Sequence, residues 1–347
     1  PDTQKIVQAT ADQIQLILNA GRTKGSLTAR DEMVSTQIFN DYSHFTSWES
    51  ISTLEESVRW RHCYLFSDPN GDYKKSDYSL NDKFLSDLLL LQSIKDNGAR
   101  TTNAVIPCMP YARQDKTTPN RRQSASIDSI WKWLSDITWE TWYVIDMQLH
   151  NPASKSAFSG TQFIDLYSWW MIEEVIKDLW LNRPNIILSP ADQWWMKSVE
   201  AISKELEIAN IIVIKSRNYA KQNTVDKIDV FWDIEWKDII IFDDMLDTGW
   251  TMAKLLEEML LKKPKSINVV VSHGMFNGKA YEKLTGVIRQ SNGVIQNIYS
   301  SNSINKENTP DFIKTINMKN ILANTITWIY KWFSVNRWDN TDYTKTT

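Results

Sequence analysis

The sequence predicts an α/β protein of two domains, each built on a mainly parallel sheet flanked by helices. Three observations carry this. The run Ile239 to Phe242 is uninterruptedly apolar, as a strand covered on both faces must be. Strand-like and helix-like stretches alternate along the chain, the pattern of βα units in parallel sheets. The length, 347 residues, suits two domains of ordinary size.

Taken in order, Ile6, Ile14, Ile17 and Leu18 suggest a first helix, and His62 to Phe66 a strand. Asp68 to Ser79 is a polar loop with an Asn70-Gly71 turn signal. Asn81 to Gly98 reads as a helix whose Phe84, Leu88, Leu91 and Ile94 share one face, with Gly98 as its C-terminal cap. Ala104 to Ile106 is a strand stopped by Pro107 and Pro110; a helix runs from Ser124 to about Ile137, and Tyr143 to Met147 is a strand. A division near Gln162 gives domains of residues 1–162 and 163–347. Strands are expected at Asn185 to Leu188, Ile211 to Ile214, Ile239 to Phe242 and Val269 to Val271. After Phe242 come two acids, a short turn, and a helix spaced by Met252, Leu255, Leu256, Met259 and Leu260.

Composition narrows the function. The hydrophobic fraction of 42% and charged fraction of 23% are those of a globular protein. A net charge of −3 without a basic tail gives no electrostatic footprint for nucleic acid. Cys63 and Cys108 suggest neither a disulfide framework nor a metal cluster. No apolar run is long enough to cross a membrane and no signal peptide is visible, so the expected compartment is the reduced cytoplasm. One pair of numbers is abnormal: 17 Trp against 10 Gly. Average usage would give roughly 24 glycines in a chain of this length.

The stretch from Ile239 to Thr251 carries chemistry. A helix start that follows a strand and a tight loop offers outward N–H groups and the positive end of the helix dipole, which suits an anion. Thr248 and Thr251 add hydroxyl donors. Asp243 and Asp244 cannot bind phosphate, but they can accept hydrogen bonds from vicinal hydroxyls or approach a metal. Phosphate on one side and diol acceptors on the other describe a site for a sugar phosphate.

This stretch resembles the ribose-5-phosphate loop of the phosphoribosyltransferase fold, in the version found in ribose-phosphate pyrophosphokinases, D-D-M-hydrophobic-D-T-small-G-T. Other segments resemble that family in the same order. Phe45 to Glu49 and Ser57-Val58-Arg59 match F-x-D-G-E and S-V-R-G, with Ser47 in place of the acid. Tyr111-Ala112-Arg113-Gln114-Asp115 matches intact. Gln148-Leu149-His150 stands at D-L-H, and Phe158 keeps its spacing from His150. Ser189-Pro190-Ala191-Asp192-Gln193-Trp194-Trp195 stands at S-P-D-x-G-G with Ala191 inserted. Lys215-Ser216-Arg217 matches K-x-R, and Val230 to Lys237 and Ile326 to Asn336 extend the likeness.

The resemblance implies two phosphoribosyltransferase-like domains and a reaction that moves the diphosphoryl group of ATP to O1 of ribose 5-phosphate, with Mg²⁺. Lys215 and Arg217 would then be catalytic cations, although alone they read as solvated surface charges. Phe45, Glu49, Arg113 and Gln114 would bind ATP, the first two from a neighbouring subunit of a homo-oligomer, a hexamer built from dimers. Asp243, Asp244, Asp247, Thr248, Gly249 and Thr251 would hold ribose 5-phosphate, and Asp192, Gln193, Trp194 and Trp195 the diphosphate. His150 and Asp192 would hold Mg²⁺, though they also read as a satisfied junction histidine and a helix cap. A catalytically silent homologue that regulates active subunits, and a phosphoribosyltransferase, are the alternatives. Arg113-Gln114 and Lys215-x-Arg217 argue against the transferase, which needs no ATP site.

Nine tryptophans, Trp48, Trp60, Trp139, Trp194, Trp195, Trp232, Trp236, Trp250 and Trp332, fall in turns or on the family's glycines. A phosphate loop uses glycine because a Cβ blocks close approach and restricts φ. The natural residue expected at all nine is glycine, as follows if the codon UGA is read as glycine by the source and as tryptophan in this sequence.

Overall fold

A computed structural model describes residues 2–23, 43–47, 49–72, 78–117, 122–137, 143–158, 162–216, 227–231 and 233–330. The first part runs α1 (Asp2–Thr23), β1 (Ser43–His44), β2 (Ser50–Ile51), β3 (His62–Phe66), α2 (Leu80–Asp96), β4 (Thr101–Val105), α3 (Ser126–Ile137), β5 (Tyr143–Met147) and β6 (Gln162–Leu166). Strands β3, β4, β5 and β6 form a parallel sheet in that order. Helix α2 shows how local sequence sets the elements. Ser79 and Asp82 close a reciprocal capping box at its start, and Gly98 sits past its end at φ 81°, which only glycine adopts without cost. Its predicted face, Phe84, Leu88, Leu91 and Ile94, is buried against β4 and α3.

The second part continues with α4 (Trp170–Asp178), β7 (Ile186–Pro190), α5 (Met196–Leu206), β8 (Ala209–Asn210), β9 (Ile212–Ser216), β10 (Lys227–Phe231), β11 (Asp238–Leu246), α6 (Trp250–Leu260), β12 (Ser266–Gly274), α7 (Ala280–Gln290), β13 (Ile295–Ser301), β14 (Ile313–Ile316) and α8 (Lys319–Tyr330). Its six-stranded parallel sheet has the order β14-β13-β12-β11-β7-β8. Strand β11 lies inside it, between β12 and β7, which is why Ile239 to Phe242 are fully buried. Burial of such side chains stabilises by roughly 1.5–3 kcal/mol each. Helices α6 and α7 cover one face and α4 and α5 the other. Strands β9 and β10 form a separate antiparallel pair.

Three expectations are corrected. The division at 162 falls on the first residue of β6, which belongs to the first sheet. The last helix, α8, packs with α1 on that same sheet through Met318, Ile321, Leu322 and Ile326 against Val105, Ile145, Met147 and Leu166. The first structural unit therefore draws on both ends of the described chain. Strand β11 does not stop at Phe242 but runs through Asp243 and Asp244 to Leu246, because β12 continues pairing beside it. Lys215 lies within β9, paired with Ile228, rather than beyond a strand end; Arg217 lies outside the described residues.

Candidate active site

The carboxyl ends of both sheets meet in one cleft. In α/β proteins this is where ligands bind. Strand β11 delivers Asp243 and Asp244, and its following turn delivers Asp247, Thr248 and Gly249. Gly249 has φ 71° and no side-chain cap, so the first N–H groups of α6 lack a capping side chain at this position. Asn277 braces the turn, donating its backbone N–H to the Asp247 carbonyl and its amide to Asp247 Oδ1 at 2.9 Å.

The first sheet contributes two side chains, Arg113 and His150. The turn after β4 carries Arg113, whose Nη1 donates to Asp247 Oδ2 at 2.6 Å. The segment after β5 carries His150, whose Nδ1 lies 2.6 Å from Asp244 Oδ2. This hydrogen bond raises the His150 pKa above its ordinary value, against the opposing effect of burial. Gln114 accepts from the Ser126 hydroxyl at 2.7 Å, which fixes the loop beside α3.

Asp192 follows β7 and caps a short 3₁₀ turn, Gln193–Trp195, accepting from the Trp194 N–H at 3.0 Å. Phe45 and Glu49 occupy an exposed turn joining β1 to β2, closed by the Phe45 N–H on the Glu49 carbonyl and by the Ser47 hydroxyl on Glu49 Oε2 at 2.6 Å. Hydrogen bonds thus join Arg113 to Asp247, His150 to Asp244 and, through Trp195, the Asp192 turn to Asp244, while Asp243, Thr248, Gly249 and Thr251 are their neighbours along the chain; Phe45 and Glu49 sit on the hairpin instead.

Sequence reasoning missed the role of Gln148. It is buried at φ 56°, and its side-chain oxygen accepts from both the N–H and the hydroxyl of Ser168 at 3.0 Å. Ser168 in turn meets Ser272 of β12 at 2.5 Å. His273 donates Nε2–H to the Met147 carbonyl at 2.7 Å and takes the Ser303 hydroxyl on Nδ1. Burial lowers the His273 pKa, consistent with this neutral tautomer. The replaced acid of D-L-H therefore serves as an uncharged tie between sheets.

The tryptophans divide into two kinds. Trp131 is fully buried and lies 4.8 Å from Phe158, ring to ring. Trp60, Trp180 and Trp236 have φ of 63°, 50° and 59°, and these residues are 79%, 92% and 74% exposed. A bulky residue there carries backbone strain with no packing in return. Trp180 was not among the nine expected positions. It follows α4, donating its N–H to the Lys177 carbonyl while Leu181 N–H reaches Ile176, the two-bond ending that normally places glycine at this point. In the cleft, Trp195 donates its indole N–H to Asp244 Oδ1 at 3.2 Å, Trp194 lies under Lys116, and the Trp250 ring stands at the first position of α6. Trp48, Trp139, Trp232 and Trp332 lie outside the described residues.

Among the described residues, no group of three or more His, Cys, Asp and Glu side chains is arranged to hold a metal ion, and no helix is long and apolar enough to cross a membrane. The description "N-terminal domain of ribose phosphate pyrophosphokinase" matches residues 31–137, and "phosphoribosyl transferase domain" matches residues 198–305. The ribose-phosphate pyrophosphokinase of Wolinella succinogenes is 27% identical over 85% of this chain and 88% of its own. That of Mycoplasma genitalium is 27% identical over 75% of this chain and 74% of its own. The crystal structure of phosphoribosylpyrophosphate synthetase from Mycobacterium smegmatis superposes with a TM-score of 0.73 at 19% identity, over 93% of this chain and 95% of that one, and so shares the fold. Matching domains in order, relatives alike over most of their length and a shared two-sheet fold agree: the chain belongs to the ribose-phosphate pyrophosphokinase family.

Proposed function

We propose that this protein is a ribose-phosphate diphosphokinase. The O1 hydroxyl of ribose 5-phosphate attacks the β-phosphorus of ATP. The bond between that phosphorus and the α,β-bridging oxygen breaks, AMP leaves, and the hydroxyl proton is released. The product is 5-phosphoribosyl 1-pyrophosphate. The observation that carries this reading is the cleft itself, where Arg113 and His150 from one sheet face Asp247 and Asp244 from the other. Acids accept the sugar diol, the α6 start receives its phosphate, and Arg113, with Gln114, leaves Asp247 for the triphosphate. Phosphoryl transfer of this kind depends on positioning and charge neutralisation, the role assigned to Lys215 and Arg217. Asp192 and the turn Gln193–Trp195 border the diphosphate. On this reading the first sheet's unit supplies ATP contacts and the second holds the sugar.

Mg²⁺, bound with the triphosphate, would neutralise charge on the transferring group. His150 retains Nε2 for such an ion or its water, and Asp192 stands at the start of the diphosphate loop. Two protein groups fit an ion that completes its shell with water and phosphate. Phe45 and Glu49, on their exposed hairpin, serve the nucleotide of a neighbouring copy in a hexamer built from dimers, and the assembly works in the cytoplasm.

The catalytic form carries glycine at the nine expected positions and at 180. That form, given ATP, ribose 5-phosphate and Mg²⁺, should release AMP only when the sugar phosphate is present. Release of AMP or ADP without ribose 5-phosphate, or none at all, would sink this reading. One observation favours the silent homologue for a chain with genuine tryptophans: Trp195 already occupies the Asp244 oxygen that the sugar requires.

A further inference from the structure

The turn that receives the sugar phosphate contains neutral donors only: Thr248, the N–H of Gly249 and Thr251. A dianion held by neutral donors alone lacks a compensating charge, and charge-assisted bonds are about twice as strong as neutral ones. The missing cation comes from the next helix. Lys283 of α7 places Nζ 3.4 Å from the Thr248 carbonyl oxygen and 4.6 Å from the centre of the Trp250 ring. Lys254, within α6, approaches the same ring at 5.9 Å. Both ammonium groups thus gather on the indole that stands at the first position of α6. An aromatic face attracts a cation through its quadrupole, so the ring fills the place of an anion. With glycine at 250 the ring is gone, and Lys283 is left beside the turn with no aromatic face to meet.

We propose that Lys283 is a substrate-binding residue that supplies the positive charge for the 5-phosphate of ribose 5-phosphate. This rests on the sugar-phosphate reading of the turn after β11. It also explains why a half-buried lysine on α7 leans over a neighbouring loop. Lys254 adds charge at the same helix end but carries no separate role.

Calorimetric titration of the glycine form tests it without turnover, using ribose 5-phosphate, ribose and ATP as probes. Lys283→Met should weaken ribose 5-phosphate by about tenfold, the cost of one charge-assisted contact at a half-exposed site, and leave ATP unchanged. Lys283→Arg should restore most of the affinity, and the parent's affinity should fall as salt screens the pair. Equal binding of ribose 5-phosphate by the parent and Lys283→Met would overturn the role of Lys283 and leave the sugar-phosphate site standing. A parent that binds ribose as well as ribose 5-phosphate, or neither, would overturn both.

Discussion

Asp244 is held by two partners from opposite directions. His150 takes Oδ2 and the Trp195 indole takes Oδ1, in a position only 3% exposed. On the proposed reading, the sugar diol needs both oxygens as acceptors. Asp244→Asn, which leaves one acceptor and no charge for His150, should raise the KM for ribose 5-phosphate about tenfold or more in the glycine form. A saturation curve that does not move would show that the diol binds elsewhere. The acids themselves were legible in the sequence, since two carboxylates before a helix start have few structural uses. Their contact with His150 was not. It spans 94 positions and joins two sheets, and no local pattern encodes such a pairing. The role of Gln148 was not legible for the same reason: its bond to Ser168, and through Ser168 to Ser272, joins distant parts of the chain.

Elements were legible where apolar spacing is clear, as in α6, and where caps agree with it, as in α2. They were less so at the sheet's carboxyl edge. The acids ending β11 and the lysine in β9 do not resemble strand residues, yet pairing with β12 and β10 carries the backbone onward. Trp180 illustrates the converse. Its sequence neighbours suggest a buried tryptophan between two leucines, while the backbone requires a left-handed residue. Trp180→Gly should stabilise the protein by about 1 kcal/mol, read as a higher denaturant midpoint with an unchanged slope. Trp131→Gly is the contrasting case. It opens a cavity beside Phe158 and Phe163 and should cost about 3–5 kcal/mol. Destabilisation by both changes would remove the distinction between the two kinds of tryptophan.

On the scale of the whole molecule, the two sheets are tied together beyond the cleft by the loop after β3. Asp68 Oδ2 accepts the Asn305 N–H at 2.8 Å, the Asp72 N–H reaches the Asn305 carbonyl at 2.7 Å, and Lys306 pairs with Asp72 at 3.0 Å. Burial raises the Asp68 pKa from 3.8 to about 7, despite Lys83 and Lys306 nearby. A carboxyl whose folded pKa is raised contributes stability fully below its unfolded pKa, and that contribution is lost as pH rises through the folded value. Stability should therefore fall, relative to Asp68→Asn, between about pH 4 and pH 7 in chemical denaturation series. Parallel curves for the two proteins would refute this. The two-sheet architecture was legible from βα alternation, but the return of α8 to the first sheet was not, because nothing in an apolar helix names its partner. If the working protein opens its phosphate loops with glycine, the intact mass of protein purified from its own source should be lowered by one Trp-to-Gly difference at each of the nine expected positions and at 180. A mass that retains all 17 tryptophans would contradict it, and would leave Trp195 and Trp250 standing in the substrate's place.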